Sequence, residues 1–190
     1  MAFSVLTDAN VLYPVYLRDV VLRFAYAGLF QVRWTDQILN EMAHNIKKKV
    51  PESRHDRVDR TVAQMREAFP DAMVTGHEDL ITSMTNHPKD RHVLAAAVEA
   101  GADLIVTSNV RDFPRSSCEP HDIDVQPPDE FLCHQWELRR PEYLIHILEG
   151  WAADLVNPPL TLETLLEEHL HSRVPKFSDT VLEVVRSRTR

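Results

Sequence analysis

Four groups of acids and amides stand at positions where a fold could gather them: Asp8 with Asn10, Glu41, Asp90, and Asn109 with Asp112. Each alone has an ordinary explanation. Asp8 can cap a turn, Glu41 can face water, Asp90 can cap a helix for about 1 kcal/mol, and Asp112 can bond its own loop. Together they describe a different chemistry. Two carboxylates ~6 Å apart in an effective dielectric of ~20 repel by roughly 3 kcal/mol, so such a cluster needs a counter-charge. Oxygen ligands with amides beside them suit Mg²⁺ or Mn²⁺, hard cations that keep waters and bind phosphates. An ion of that kind polarises a phosphate oxygen, lowers the pKa of a bound water and steadies the leaving oxygen of an in-line displacement.

The elements that would position these groups follow from periodicity. Residues 89 to 113 organise the chain: Val93, Leu94, Ala97 and Val98 recur at helical spacing from Asp90 onward, and Gly101 is a helix stop. Leu104-Ile105-Val106 then reads as a strand covered on both faces, with Thr107, Ser108, Asn109, Arg111 and Asp112 at its carboxyl end. The layout repeats at the start of the chain, where Phe3-Ser4-Val5-Leu6 reads as a strand with Thr7-Asp8-Ala9-Asn10 at its end. If these two strands are parallel neighbours, Asp8, Asn109 and Asp112 meet.

Between them, the pattern predicts a helix from Arg18 to Gly28, a half-buried strand through Phe30, Val32 and Trp34, and a helix capped by Thr35 or Asp36 that displays Glu41 and is broken by Pro51. Ser53 opens a further helix, Ala72-Met73-Val74 is a weak strand, Glu78 to Met84 a short helix, and Asn86-His87-Pro88 a turn that sets Asp90 near a helix start. Ile123-Asp124-Val125 reads as the last strand, and Asp129 as the cap of a helix reaching Leu138. This alternation predicts an α/β fold, a doubly wound, mostly parallel sheet flanked by helices. Beyond Pro141 three helices are expected, at Tyr143 to Leu155, Thr161 to Ser172 and Ser178 to Arg188, so the chain divides into an α/β domain over residues 1–138 and an all-helical C-terminal appendage over 139–190.

Composition narrows the classes. At 190 residues and 44% apolar content the chain can bury a sizeable core. No apolar run is long enough for a membrane span and no basic-then-apolar leader opens it, which reads as a soluble, cytoplasmic protein. Cys118 and Cys133 form no C-x-x-C pair and are expected to be reduced. The net charge is −8, yet residues 44–66 hold seven basic side chains against three acidic, a local balance of +4, whereas residues 67–138 hold four against fourteen, or −10. A basic arm beside an acidic body suits a polyanion gripped at one place and a cation held at another. A solvated helix face accounts for the arm equally well. The four glycines are scattered, which excludes a phosphate-cradling loop, and there is neither a Gly-x-Ser-x-Gly elbow nor a His-Glu-x-x-His pair. Trp34, Trp136 and Trp151 read as core groups and His92 as a structural histidine.

The set Thr7-Asp8-Ala9-Asn10-Val11-Leu12, Ile38-Leu39-Asn40-Glu41-Met42, Asp90-Arg91-His92-Val93-Leu94-Ala95-Ala96-Ala97 and Val106-Thr107-Ser108-Asn109-Val110-Arg111-Asp112-Phe113-Pro114 closely resembles the PIN-domain family, in particular VapC-type ribonuclease toxins of toxin–antitoxin pairs, over residues 3 to 138. The resemblance implies a metal-dependent endoribonuclease whose Mg²⁺ or Mn²⁺ is held by Asp8, Glu41, Asp90 and a fourth site filled by Asn109 or Asp112. It implies supporting roles for Thr107, which would orient a water or a ligand, and for Asn10, which would bond metal waters. It also implies an RNA substrate, a small antitoxin that blocks the site, and homodimers. The helices after Pro141 look like the extra C-terminal domain of some longer toxins of this type. Lys47, Lys48, Lys49 and Arg54 are the candidates for contact with the RNA backbone. Two rivals stand beside this reading: a Mg²⁺-dependent phosphatase or phosphotransfer domain, which would need a partnering lysine that neither Lys89 nor Lys176 clearly provides, and a non-catalytic binding module of the same fold.

Overall fold

The computed structural model describes residues 3–188. The chain forms two compact units: one comprises the residues up to Val15 together with Phe30–Pro127, the other Tyr16–Leu29 with the residues from Pro128 on.

In the first unit a four-stranded, fully parallel sheet runs in the order β2 (Gln31–Arg33), β1 (Ser4–Thr7), β3 (Leu104–Val106), β4 (Asp124–Gln126). β1 pairs with β2 through Val5 and Val32 and with β3 through Leu6 and Ile105. The expected neighbourhood of the first and central strands is therefore real, and both end at one edge. Val5, Leu6, Ile105 and Val106 have no exposed surface, as continuous apolar runs in a covered parallel sheet require. β1 passes directly into α1 (Ala9–Leu12), and β3 into a 3₁₀ turn over Val110–Asp112.

α3 (Asp36–Lys47) starts where Thr35 accepts the Ile38 amide at 3.1 Å, the capping bond its sequence predicts. It ends at Lys47, before Pro51 is reached. A 3₁₀ turn at Glu52–Arg54 leads into α4 (His55–Ala68). The expected strand at Ala72-Met73-Val74 is a single bridge, Trp34 to Met73, and the expected helix at 78–84 is a 3₁₀ segment, Glu78–Ser83. Trp34 is fully buried and meets Phe69 edge-on at 5.7 Å. α5 (Arg91–Glu99) is buried from His92 through Ala97, which its alanines permit. It closes with a Schellman motif: the Ala102 amide reaches the Ala97 carbonyl, the Gly101 amide reaches Val98, and Gly101 takes the left-handed φ of 56°. α6 (Arg115–Cys118) then leads towards β4.

The second unit is helical. It holds nearly all of α2 (Val15–Tyr26) with α7 (Pro128–Glu137), α8 (Pro141–Asp154), α9 (Leu162–Thr164) continued by a π-helical turn over Leu165–Leu170, and α10 (Pro175–Arg188). The helix at 128–137, expected within the α/β domain over 1–138, groups by contacts with this helical unit, as does the segment 16–29 that lies between β1 and β2 in the chain. Phe177 is the hub, meeting Phe24 at 6.1 Å and Trp136 at 6.4 Å, both edge-on. Trp151, Leu165, Leu170 and Val181 are fully buried in the same unit. Asp129 does not cap its own helix. Its carboxylate accepts the amides of Lys176 and Phe177 at 3.2 and 2.9 Å and so caps α10, a negative charge on a helix N-terminus. Among the described residues no helix is long and apolar enough to cross a membrane, and Cys118 and Cys133 are unpaired.

Candidate active site

At the shared edge of β1 and β3 the two strand ends are stitched together by side chains. Thr107, with no exposed surface, donates its hydroxyl to Asp8 Oδ2 at 2.7 Å. Asn10 donates its amide to both Asp8 and Thr107 and accepts the Ser108 amide at 2.9 Å. The Asn109 amide in turn reaches Thr107 Oγ1 at 3.0 Å. The side chains of Asn10 and Thr107 thus bond Asp8, each other and the main-chain amides of Ser108 and Asn109.

Asp8 and Asp90 both occupy N-cap positions, of α1 and α5, yet neither side chain makes a capping bond. The ordinary explanation for Asp90 is removed, and its carboxylate is left to the site. Asp8 is 4% exposed, and burial is the main cause that holds its pKa above the usual carboxylate value; the Thr107 hydrogen bond opposes this and the charge of Asp90 adds to it. Asp90 is raised as well, first by burial and then by Asp112, with Glu41 contributing in the same direction. Asp90 therefore feels Asp8, Asp112 and Glu41 together. Four acids from four segments of the chain converge, at the end of β1, on α3, at the start of α5 and after β3.

Glu41 lies half-buried on α3, its Oε1 accepting the Gln37 side-chain amide at 3.0 Å. His92 Nε2 stands 3.4 Å from the same oxygen. This nitrogen is buried and makes no hydrogen bond, so His92 faces the acids from within the core. His87, read from sequence only as part of a turn, also belongs here: His87, Asp90 and Asp112 place ligand atoms within 4.8 Å of one another. The signal available in the sequence was its spacing of three residues from Asp90. Asp112 is half-buried and joins Asp90, while Asn109 is exposed at the head of the 3₁₀ turn and uses its main-chain amide on Thr107.

The basic candidates are distributed differently. Lys47 is paired with Asp59 at 2.6 Å, and Lys49 Nζ sits 5.1 Å over the ring of Tyr13, just past α1. Lys48 and Arg54 are exposed. The donor set of the cluster, carboxylate oxygens with the His87 ring beside them, fits a divalent cation, and the raised pKa of Asp8 and Asp90, caused first by burial and then by neighbouring acids, is what negative charge without a counter-ion produces.

Comparison with known proteins agrees with this arrangement. A family model described as "PIN domain" matches residues 4–111, and one described as "VapC50 C-terminal domain" matches residues 128–183. Over 107 residues the chain is 41% identical to a Mycobacterium tuberculosis protein named "Putative ribonuclease VapC50"; the match covers 56% of this chain and 62% of that protein, less than two thirds of its length. No solved structure matches significantly. With the first model covering more than half of the 190 residues and the acids gathered at the carboxyl edge of a four-stranded parallel sheet, the chain belongs to the PIN-domain family.

Proposed function

We propose that the protein is a metal-dependent endoribonuclease of the VapC toxin type, cleaving RNA by attack of water on a phosphodiester. The observation that supports this reading is the set of acids that act on one another: Asp90 raises the pKa of Asp8, Asp112 and Glu41 raise that of Asp90, burial being the larger cause in both, and Asp90 and Asp112 place ligand atoms within 4.8 Å of each other. In this reading those four carboxylates hold a divalent cation, Asp112 fills the fourth place, and Asn109 supports the loop through Thr107. The cation, when bound, supplies charge neutralisation at the phosphate and a more acidic water. The chain's own part is positional. Thr107 and Asn10 donate to Asp8 Oδ2 and fix the orientation of its carboxylate; Gln37 donates to Glu41 Oε1, with His92 Nε2 3.4 Å from the same oxygen; and Asp90, which makes no capping bond, keeps its carboxylate for the site. Lys48, Lys49 and Arg54 supply contacts to the RNA backbone, while Lys47, paired with Asp59, contributes less. The printed name of the relative supports the same activity. With it come a cytoplasmic setting, a small cognate antitoxin that covers the acids, and self-association into a homodimer.

The test is incubation of the purified chain with labelled RNA, with Mn²⁺ or Mg²⁺, with EDTA, and as Asp8→Asn. Cleavage that needs the ion and is lost in Asp8→Asn supports the proposal. Phosphate release from small esters without RNA cleavage favours a phosphatase, and absence of any turnover favours a non-catalytic module.

A further inference from the structure

The acid cluster is not built of oxygen alone. His87 lies in the turn before Asp90, and its main chain is fixed to both neighbouring acids: its amide donates to the Asp112 carbonyl at 3.0 Å, and its carbonyl accepts the Asp90 amide at 2.9 Å. Its Nδ1 is 3.6 Å from Asp90 Oδ2 and accepts the Lys89 amide at 3.4 Å. That amide contact is long and faces the lone pair of Nδ1, the ring nitrogen nearer Asp90; since Nδ1 has a single lone pair, a metal bound there replaces the Lys89 contact. The ring is half-exposed and reachable from solvent. Two donors on one cation with bonds of ~2.1 Å lie at most about 4.2 Å apart, and the widest separation within the His87, Asp90 and Asp112 group is within 4.8 Å. Side-chain adjustment of roughly 0.6 Å closes that difference. A second, independent feature points at the same place: His92, 5% exposed, presents a buried and unbonded Nε2 to the Glu41 side of the cluster.

We propose that His87 supplies a ring nitrogen to the cation shared by Asp90 and Asp112, making this a mixed nitrogen and oxygen site that selects transition-metal divalent ions over Mg²⁺. The inference rests on the metal-dependent reading above and specifies it. Imidazole is a borderline donor that strengthens binding of Co²⁺, and less so of Mn²⁺, while offering little to Mg²⁺, which prefers oxygen and water. Carboxylates alone would leave the choice to the ion's abundance.

The experiment uses the full chain stripped with EDTA, as the natural sequence, as His87→Ala, as His92→Gln and as Asp8→Asn. Calorimetric titration with Co²⁺, Mn²⁺ and Mg²⁺ gives the affinities, and electron spin-echo modulation of the Mn²⁺-loaded chain reports a directly bonded ¹⁴N. The expected result is a nitrogen coupling that survives in His92→Gln and vanishes in His87→Ala, together with Co²⁺ binding weakened roughly tenfold or more and Mg²⁺ binding within about a factor of two. Thermal melting of the metal-free variants checks that His87→Ala is folded. A coupling that persists in His87→Ala, or equal weakening of all three ions, overturns the assignment of His87 while leaving the acid site standing. A natural chain that binds no divalent ion, and is indistinguishable from Asp8→Asn, overturns both readings.

Discussion

Replacing Thr107 by valine tests the stitching between the two strand ends with almost no change in shape. The hydroxyl is fully buried and makes three contacts: it donates to Asp8 at 2.7 Å and accepts from Asn10 and from the Asn109 amide at 3.0 Å each. The first is a bond to a charged acceptor and contributes about 1.5–3 kcal/mol. The second is partly compensated, because the Asn10 amide also reaches Asp8. The third belongs to an exposed residue whose amide water can satisfy. The metal-free chain should therefore lose about 2–3 kcal/mol at pH 7, nearly all of it through Asp8. The sign of the pH dependence follows. The Thr107 bond lowers the Asp8 pKa against burial, so its contribution is present where Asp8 is ionised and fades as pH falls through the folded value. Urea denaturation in EDTA at pH 7 and at about pH 3.5, below the ordinary carboxylate range, should give a large difference between variant and parent at the first and a small one at the second. A difference under about 0.5 kcal/mol at pH 7, or an equal difference at both, refutes the role given to Thr107.

The opposite sign is expected for Asp8→Asn, which removes a buried negative charge but keeps an acceptor for Thr107: the metal-free chain should gain about 1–3 kcal/mol in denaturant while losing its stabilisation by Mn²⁺. Because Asp8 and Asp90 are both raised, the metal-free protein should lose stability as pH climbs from the ordinary carboxylate value through their folded values; a divalent ion at 100 times its Kd should restore about 2.7 kcal/mol above that window and little below it, as melting curves with and without the ion would reveal. Neutralising Lys48, Lys49 and Arg54 together should reduce the slope of RNA affinity against salt by about 0.7 per lost single-strand contact without altering metal affinity, measured by fluorescence anisotropy at two ionic strengths. Asp129→Ala should cost the helical unit about 1–2 kcal/mol through the two α10 amides it uncaps, read from loss of protection of the Lys176 and Phe177 amides in hydrogen exchange.

Local signals carried the sheet and most of the site. The Leu104–Val106 run, the Thr35 cap and the Gly101 stop are short-range devices, and each appears where its residue types require. Asp8, Asp90 and Asp112 were legible because strand ends and helix starts share one edge in a parallel sheet. What escaped depends on distance in the chain. Asp129 lies 47 residues from the amide of Lys176, and no local pattern distinguishes that bond from a cap on its own helix. The strand expected at 72–74 had adequate residue types but finds only Trp34 to pair with. His87 was concealed by a stronger signal, since Asn-His-Pro is sufficiently explained as a turn. The imidazole acquires chemical meaning only when the loop after β3 brings Asp112 beside it.

The segment 16–29 belongs by its contacts with residues from 128 onward, although the chain reaches it before β2 is made. During synthesis this stretch therefore leaves the ribosome more than a hundred residues ahead of Phe177, the aromatic partner of Phe24. Its apolar face has to wait for the residues from 128 onward to be made before it is covered. A chain cut after Pro127 would keep that face permanently bare, so the helical half is a completion step for the newborn polypeptide and not a tail that can be trimmed away.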